Sequence, residues 1–118
     1  MSTTQIPQSL ILAGLVALAG SGTIPLDCSA GNRFGTELTA SSTMDAFANP
    51  PYDGYTFILA VRQGGAGSYT LAFNANVRYT SAVPSITLST TVGKTDYIGF
   101  YWNETDSMWD VVAFAAAA

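Results

Sequence analysis

Eight carboxylates, one thiol and not a single imidazole set the chemistry open to this sequence. Without histidine, the commonest general base and metal ligand is gone, and so are most nucleophile–base pairs. Zinc sites of the Cys/His type are excluded by count. Paired carboxylates could still hydrolyse a glycoside. The candidates are Asp27, Glu37, Asp45, Asp53, Asp96, Glu104, Asp106 and Asp110, most of which fall in turns or on outward faces. The stretch NETDSMWD gathers Glu104, Asp106 and Asp110. Oxygen ligands in a loop can hold calcium, but this spacing lacks the ligand cadence and the glycine of an EF-hand. Asn103-Glu104-Thr105 fits the glycosylation acceptor pattern, which matters only on a eukaryotic secretory route. Cys28 stands alone, so no internal disulfide forms, and it reads as a small buried hydrophobe in a chain suited to a reducing compartment. The expectation is a protein without catalytic residues, metal ligands or cofactors.

Binding is then the work left to the chain. Only 10% of its residues are charged while 48% are hydrophobic, against about 25% charged in ordinary globular proteins. Low charge marks the cores of interfaces, so the composition points to a subunit that buries much of its surface in an assembly. The four basic residues, Arg33, Arg62, Arg78 and Lys94, are scattered. Nucleic-acid binding needs clustered Lys/Arg, and so does a polybasic membrane anchor. Neither partner is expected.

Elements that could position a binding surface begin with SLILAGLVALAG, residues 9–20. Residues 1–26 carry no Lys or Arg, whereas a secretory signal needs a positive start. The apolar run Leu10 to Ala19 is about half the ~20 residues of a membrane span, and Gly14 weakens a helix. The run reads instead as an apolar arm, a strand or a short buried helix, with Gly20-Ser21-Gly22 as a flexible joint. The domains expected are an arm over 1–22 and a β domain over 23–118.

From Thr23, short β-type runs alternate with turn clusters. Ile24, Leu26 and Cys28 share one side; Phe34, Thr36 and Leu38 face away from Arg33, Gly35 and Glu37. STMDAF is a further strand and NPPYDG a turn. YTFILAVRQ (55–63) and SYTLAFN (68–74) flank GGAG, which predicts a β-hairpin; GGAG lacks the Lys-Ser/Thr of a phosphate loop. VRYT is short. SITLST leads into TVGKTDYIGFYW, aromatic on both faces and therefore expected to be central or covered on both sides. NETDS turns the chain into MWDVVAF, with Trp109 and Val111 opposite Met108, Val112 and Phe114. The fold class expected is all-β, an antiparallel β-sandwich or jelly-roll-like domain with an N-terminal apolar arm.

Residues 23–112 also resemble a known pattern. Gly31-Asn32 turns before Phe34; a hairpin motif carries Gly54, Leu59, Val61, Gln63 and Gly65; a return strand carries Thr70, Leu71, Phe73 and Val77; Leu88-Ser89-Thr90, Gly93, Asp96, Ile98, Phe100 and Tyr101 precede a final strand with Trp109. This cadence resembles the small β-sandwich domains of tailed-bacteriophage virion proteins, found at tail-fibre ends and in head-decorating proteins. It covers about three quarters of the chain. Many members have a Trp and a Gly-rich loop after the Val77 strand; here Tyr79 and Thr80-Ser81-Ala82 stand there. The resemblance implies a structural virion protein with no catalytic residues. Taken as a separate subunit, it implies a capsid decoration (cement) protein on the virion surface, assembled in the bacterial host cytoplasm. Its expected partners are the major capsid protein and itself, as a homotrimer, through Ile6, Leu10, Ile11, Leu12, Leu15, Val16 and Leu18. The rival reading is a tail-fibre or tail-tip module that recognises host-surface glycan and displays an aromatic platform.

Overall fold

The computed structural model describes residues 15–117. They form nine strands: β1 (Val16–Ala17), β2 (Thr23–Ile24), β3 (Arg33–Leu38), β4 (Ser42–Met44), β5 (Thr56–Gln63), β6 (Leu71–Ala72), β7 (Val77–Arg78), β8 (Thr95–Asn103) and β9 (Met108–Ala115). Two sheets result, a six-stranded one in the order β1-β3-β5-β8-β9-β7 and a three-stranded one in the order β2-β4-β6. The all-β sandwich expected from the alternating runs is what the chain adopts. Its pairing is mixed rather than wholly antiparallel, because the chain changes sheet at every step from β1 to β6. Each excursion through the second sheet returns the chain in its original direction. Thus β1, β3 and β5 lie parallel in one sheet, and β2, β4 and β6 lie parallel in the other. Parallel neighbours need a long crossover, and here the opposite sheet supplies it. Three coils of a two-sheet wind are followed by an antiparallel closure, β5 with β8 and β8 with β9.

The core lies between the sheets. Ile24, Leu26 and Cys28 come from one side; Phe34, Leu38, Phe57, Leu59, Val61, Ile98, Phe100, Trp109 and Val111 come from the long strands. These are the inward positions of the period-two pattern. Phe47 sits at the centre of an aromatic cluster, with edge-on contacts to Phe57, Phe100 and Trp109 at centroid distances of 5.1, 5.1 and 5.5 Å. Such pairs contribute about 0.5–1.5 kcal/mol each beyond their buried area.

Two expectations about local structure are corrected and a third is met in one of its two forms. The segments 55–63 and 68–74 do not form a hairpin: β5 and β6 belong to different sheets, and 64–67 carries the chain across. Gly67, with φ +77°, packs so close to the Thr90 carbonyl that a Cβ would lie 2.6 Å from it. Next, Gly20-Ser21-Gly22 is not a loose joint. The Gly20 carbonyl accepts from Thr39 N–H at 2.9 Å and the Gly22 carbonyl from Thr43 N–H at 3.0 Å. Lastly, β8 is central but covered on one side only. Ile98, Phe100 and Trp102 face the core, while Tyr97 and Tyr101 are each 40% exposed.

Two further details shape the long strands. A β-bulge near Val112 shifts the β8–β9 register, so Val111 opposes Phe100 whereas Ala113 opposes Gly99. The extra residue returns Phe114, opposite Ile98, to the core side with Trp109 and Val111, rather than to the side of Val112. The stretch SITLST forms no strand. The buried Asp96 carboxylate accepts from Ser89 N–H at 2.6 Å, from Ser89 Oγ at 2.7 Å and from Ala117 N–H at 2.8 Å. One carboxylate thereby ties the 84–90 segment and the C-terminal tail to β8.

Candidate functional site

The expected binding residues divide at the boundary of the described chain. Ile6, Leu10, Ile11 and Leu12 lie outside the described residues. Leu15, Val16 and Leu18 lie within them, all half-buried. Val16 and Ala17 pair with Phe34 and Gly35 as β1, the edge strand of the six-stranded sheet, and Leu18 N–H donates to the Gly35 carbonyl at 2.8 Å. Val16 and Leu18 share the inward side and pack against the core. The described end of the arm is therefore the first strand of the first coil.

That coil has no neighbour on its outer side among the described residues. Between its two layers opens a groove of about 420 Å³. Val16 and Leu18 line one wall, Leu26 and Phe34 reach it from the core, and Ala46 and Ala48 close the other side. Its lining is mostly apolar, with Asp27 and Asp45 as its charged members. Asp27 is held in place: its carboxylate accepts from Ser29 N–H at 2.9 Å, Ser29 Oγ at 2.6 Å and Asn49 Nδ2 at 3.1 Å. These bonds, those from Ser29 first, hold its pKa below the usual aspartate value. It caps the 3-10 turn Cys28–Ala30. Cys28 beneath it is 2% exposed, and burial, with Asp27 adding to it, pushes its thiol up to about 12. A thiol so far from ionisation is a poor nucleophile. Tyr55 Oη donates to the Gly31 carbonyl and closes the turn from the core side; burial pushes this phenol too up to about 12.

A second uncovered surface is the outer face of the six-stranded sheet. Register places Ala17, Gly35, Ala60, Tyr97 and Ala115 in one row across five strands. The next row holds Arg33, Ile58, Gly99 and Ala113. Glycine and alanine keep the centre low, and Ile58, Tyr97, Tyr101 and Val112 stand above it, each at least 40% exposed. Charges gather around it in pairs. Arg62 lies 4.0 Å from Glu37, and Arg78 reaches Asp110 at 2.7 Å and Asp106 at 3.0 Å.

Two carboxylates of the NETDSMWD cluster, Asp106 and Asp110, are thus engaged by Arg78. Hydrogen bonds donated by the guanidinium to Asp110 and then Asp106 raise its pKa above its already high value. Among the described residues no group of three or more His, Cys, Asp or Glu is placed to hold a metal ion. No helix among them is long and apolar enough to cross a membrane. Sequence reasoning located Val16 and Leu18 from apolarity alone. It missed Leu26, Ala46 and Ala48, which converge on the same groove only because the chain winds between two sheets. Comparison with protein families, with curated proteins and with solved structures finds no match to the chain.

Proposed function

We infer that the chain is a structural subunit of a tailed-phage virion, a capsid decoration protein that stabilises the capsid by binding to it. The observation that carries this reading is the open end of the first coil. Stacked two-sheet coils bury their apolar interior only where another layer covers it. Here the groove bordered by Val16, Leu18 and Leu26 is open among the described residues, and in sequence the uncharged stretch SLILAG comes just before them. An apolar surface or an added strand from the major capsid protein would complete the layer. Burial contributes about 25 cal/mol per Å² before ordering costs, and symmetric multivalency adds avidity. The uncovered face around Tyr97 and Ile58 offers a further contact for a neighbouring copy, within the homotrimer that the resemblance implies. The role is one of binding, without catalysis, cofactor, nucleic acid or membrane. Its place is the outer capsid surface, reached by assembly in the bacterial host cytoplasm.

The test is the position of the protein in intact particles, mapped by electron cryomicroscopy. Many copies spread over the capsid are expected. A few copies confined to the tail would overturn the reading in favour of a fibre-tip module. Deletion of residues 1–14, which spares β1, should leave a folded protein that no longer binds capsids; unchanged binding would remove the arm from the account.

A further inference from the structure

At the opposite end of the three-stranded sheet lies a different kind of groove. The sheet stops at β6, and the segment 84–90 runs beyond its free edge. The backbone bond between them, Ser68 N–H to the Thr90 carbonyl at 2.8 Å, sits at one end. Away from it the two segments part and leave a cleft of about 260 Å³. Three aromatic residues, Tyr69, Phe73 and Tyr79, line it together with Thr70, Thr87 and Thr90. Leu71 is buried and Ile86 and Leu88 pack on the core, so the floor is apolar.

We propose that this cleft binds a single uncharged sugar ring. Its lining contains no Asp, Glu, Lys or Arg, so neither an anion nor a cation finds a counter-charge there. Stacked against an aromatic ring, the C–H face of a pyranose buries apolar area, while its hydroxyls need partners that can both donate and accept. A threonine hydroxyl does both. Among the described residues, the hydroxyls of Thr70, Thr87 and Thr90 bond to no protein group, so all three are available. Tyr69 is fixed before any ligand arrives: its Oη accepts from Ala66 N–H at 3.1 Å, and its ring lies on Gly65, where a Cβ would meet Oη at 2.6 Å. Its backbone is held by Gln63. Tyr79, 44% exposed, is the wall open to solvent. The volume is below the ~300 Å³ at which pockets begin to enclose drug-sized molecules, which suits one ring rather than a chain. A peptide added as a strand is disfavoured, because β6 offers a ladder of only two residues. The proposal does not depend on where the protein sits in a particle, so it stands or falls separately from the decoration reading.

The experiment is an amide NMR titration of the full chain with glucose, galactose, mannose and N-acetylglucosamine. Saturable shifts are expected for at least one sugar, at residues 69–73, 79 and 86–90. Tyr79→Ala, at an exposed position, should keep the dispersed spectrum and weaken binding at least ten-fold; Thr87→Val should weaken it several-fold. The proposal is overturned by any of three results. No sugar gives saturable shifts. The shifts fall at Tyr97 and Tyr101 instead. Or an uncharged Thr/Leu peptide, and no sugar, occupies the cleft.

Discussion

The side-chain amide of Gln63 holds both backbone polar groups of Tyr69. Oε1 accepts from Tyr69 N–H at 3.1 Å and Nε2 donates to the Tyr69 carbonyl at 2.8 Å. Gln63, 2% exposed, thereby gives the chain a substitute for a strand partner as it leaves one sheet for the other. Gln63→Leu should remove both bonds and leave two buried backbone groups short of partners, at about 1–3 kcal/mol each. Chemical denaturation should show a loss of about 2–6 kcal/mol. A change below about 0.5 kcal/mol, the usual range for surface sites, would mean that water replaces the amide without cost.

Asp27 gives the fold an acid-sensitive element. Its carboxylate is stabilised in the folded state by Ser29 and Asn49, so its folded pKa lies below the ordinary 3.8. A depressed carboxylate contributes stability above its unfolded pKa and loses that contribution as pH falls through the folded value. Wild type should therefore exceed Asp27→Ala in urea midpoint at neutral pH, and the gap should close below pH 3.8. A gap that stays constant into acid would show that the carboxylate charge plays no part in the cap.

The outer sheet face separates folding from association. Tyr97 and Val112 point away from the core, so Tyr97→Asp and Val112→Asp should each change unfolding free energy by no more than about 1 kcal/mol. Both should reduce self-association in sedimentation velocity at high protein concentration, because each sets an unpaired negative charge in the low, mostly uncharged centre of this face. Sedimentation identical to wild type would exclude this face as a contact between copies.

The inward residues were legible because alternation survives any choice of partner. Phe57, Leu59 and Val61 are buried whichever strands flank them, and so are Ile24, Leu26 and Cys28. Partner choice was not legible. A Gly-rich loop between two alternating runs has the same composition whether the chain reverses within one sheet or crosses to the other; where it crosses here, the Gln63 side chain takes up the Tyr69 backbone groups. The bulge at Val112 is equally silent, since one added residue leaves composition unchanged and reverses the face of Phe114. For the candidate site, the apolarity of Val16 and Leu18 was readable, but their convergence with Ala46 and Ala48 depends on the parallel wind.

Gly20 is where sequence and site meet most directly, and it distinguishes steric from conformational demands on a glycine. A Cβ at Gly20 would lie 2.1 Å from the Glu37 carbonyl oxygen, a backbone atom that cannot swing away. Gly20→Ala should therefore push β1 off β3, at a cost of about 1–3 kcal/mol, the usual penalty for overpacking. Gly22 has open space around it but a φ of +75°, so Gly22→Ala should cost about 1–2 kcal/mol through backbone strain alone. Stability would not tell the two apart; hydrogen exchange would. In Gly20→Ala the amide of Leu18, bonded to the Gly35 carbonyl, should lose protection by at least ten-fold relative to Gly22→Ala. If decoration depends on a β1 edge held in register, capsid binding should fall in Gly20→Ala and persist in Gly22→Ala. Equal binding by the two variants would detach the edge strand from the binding role.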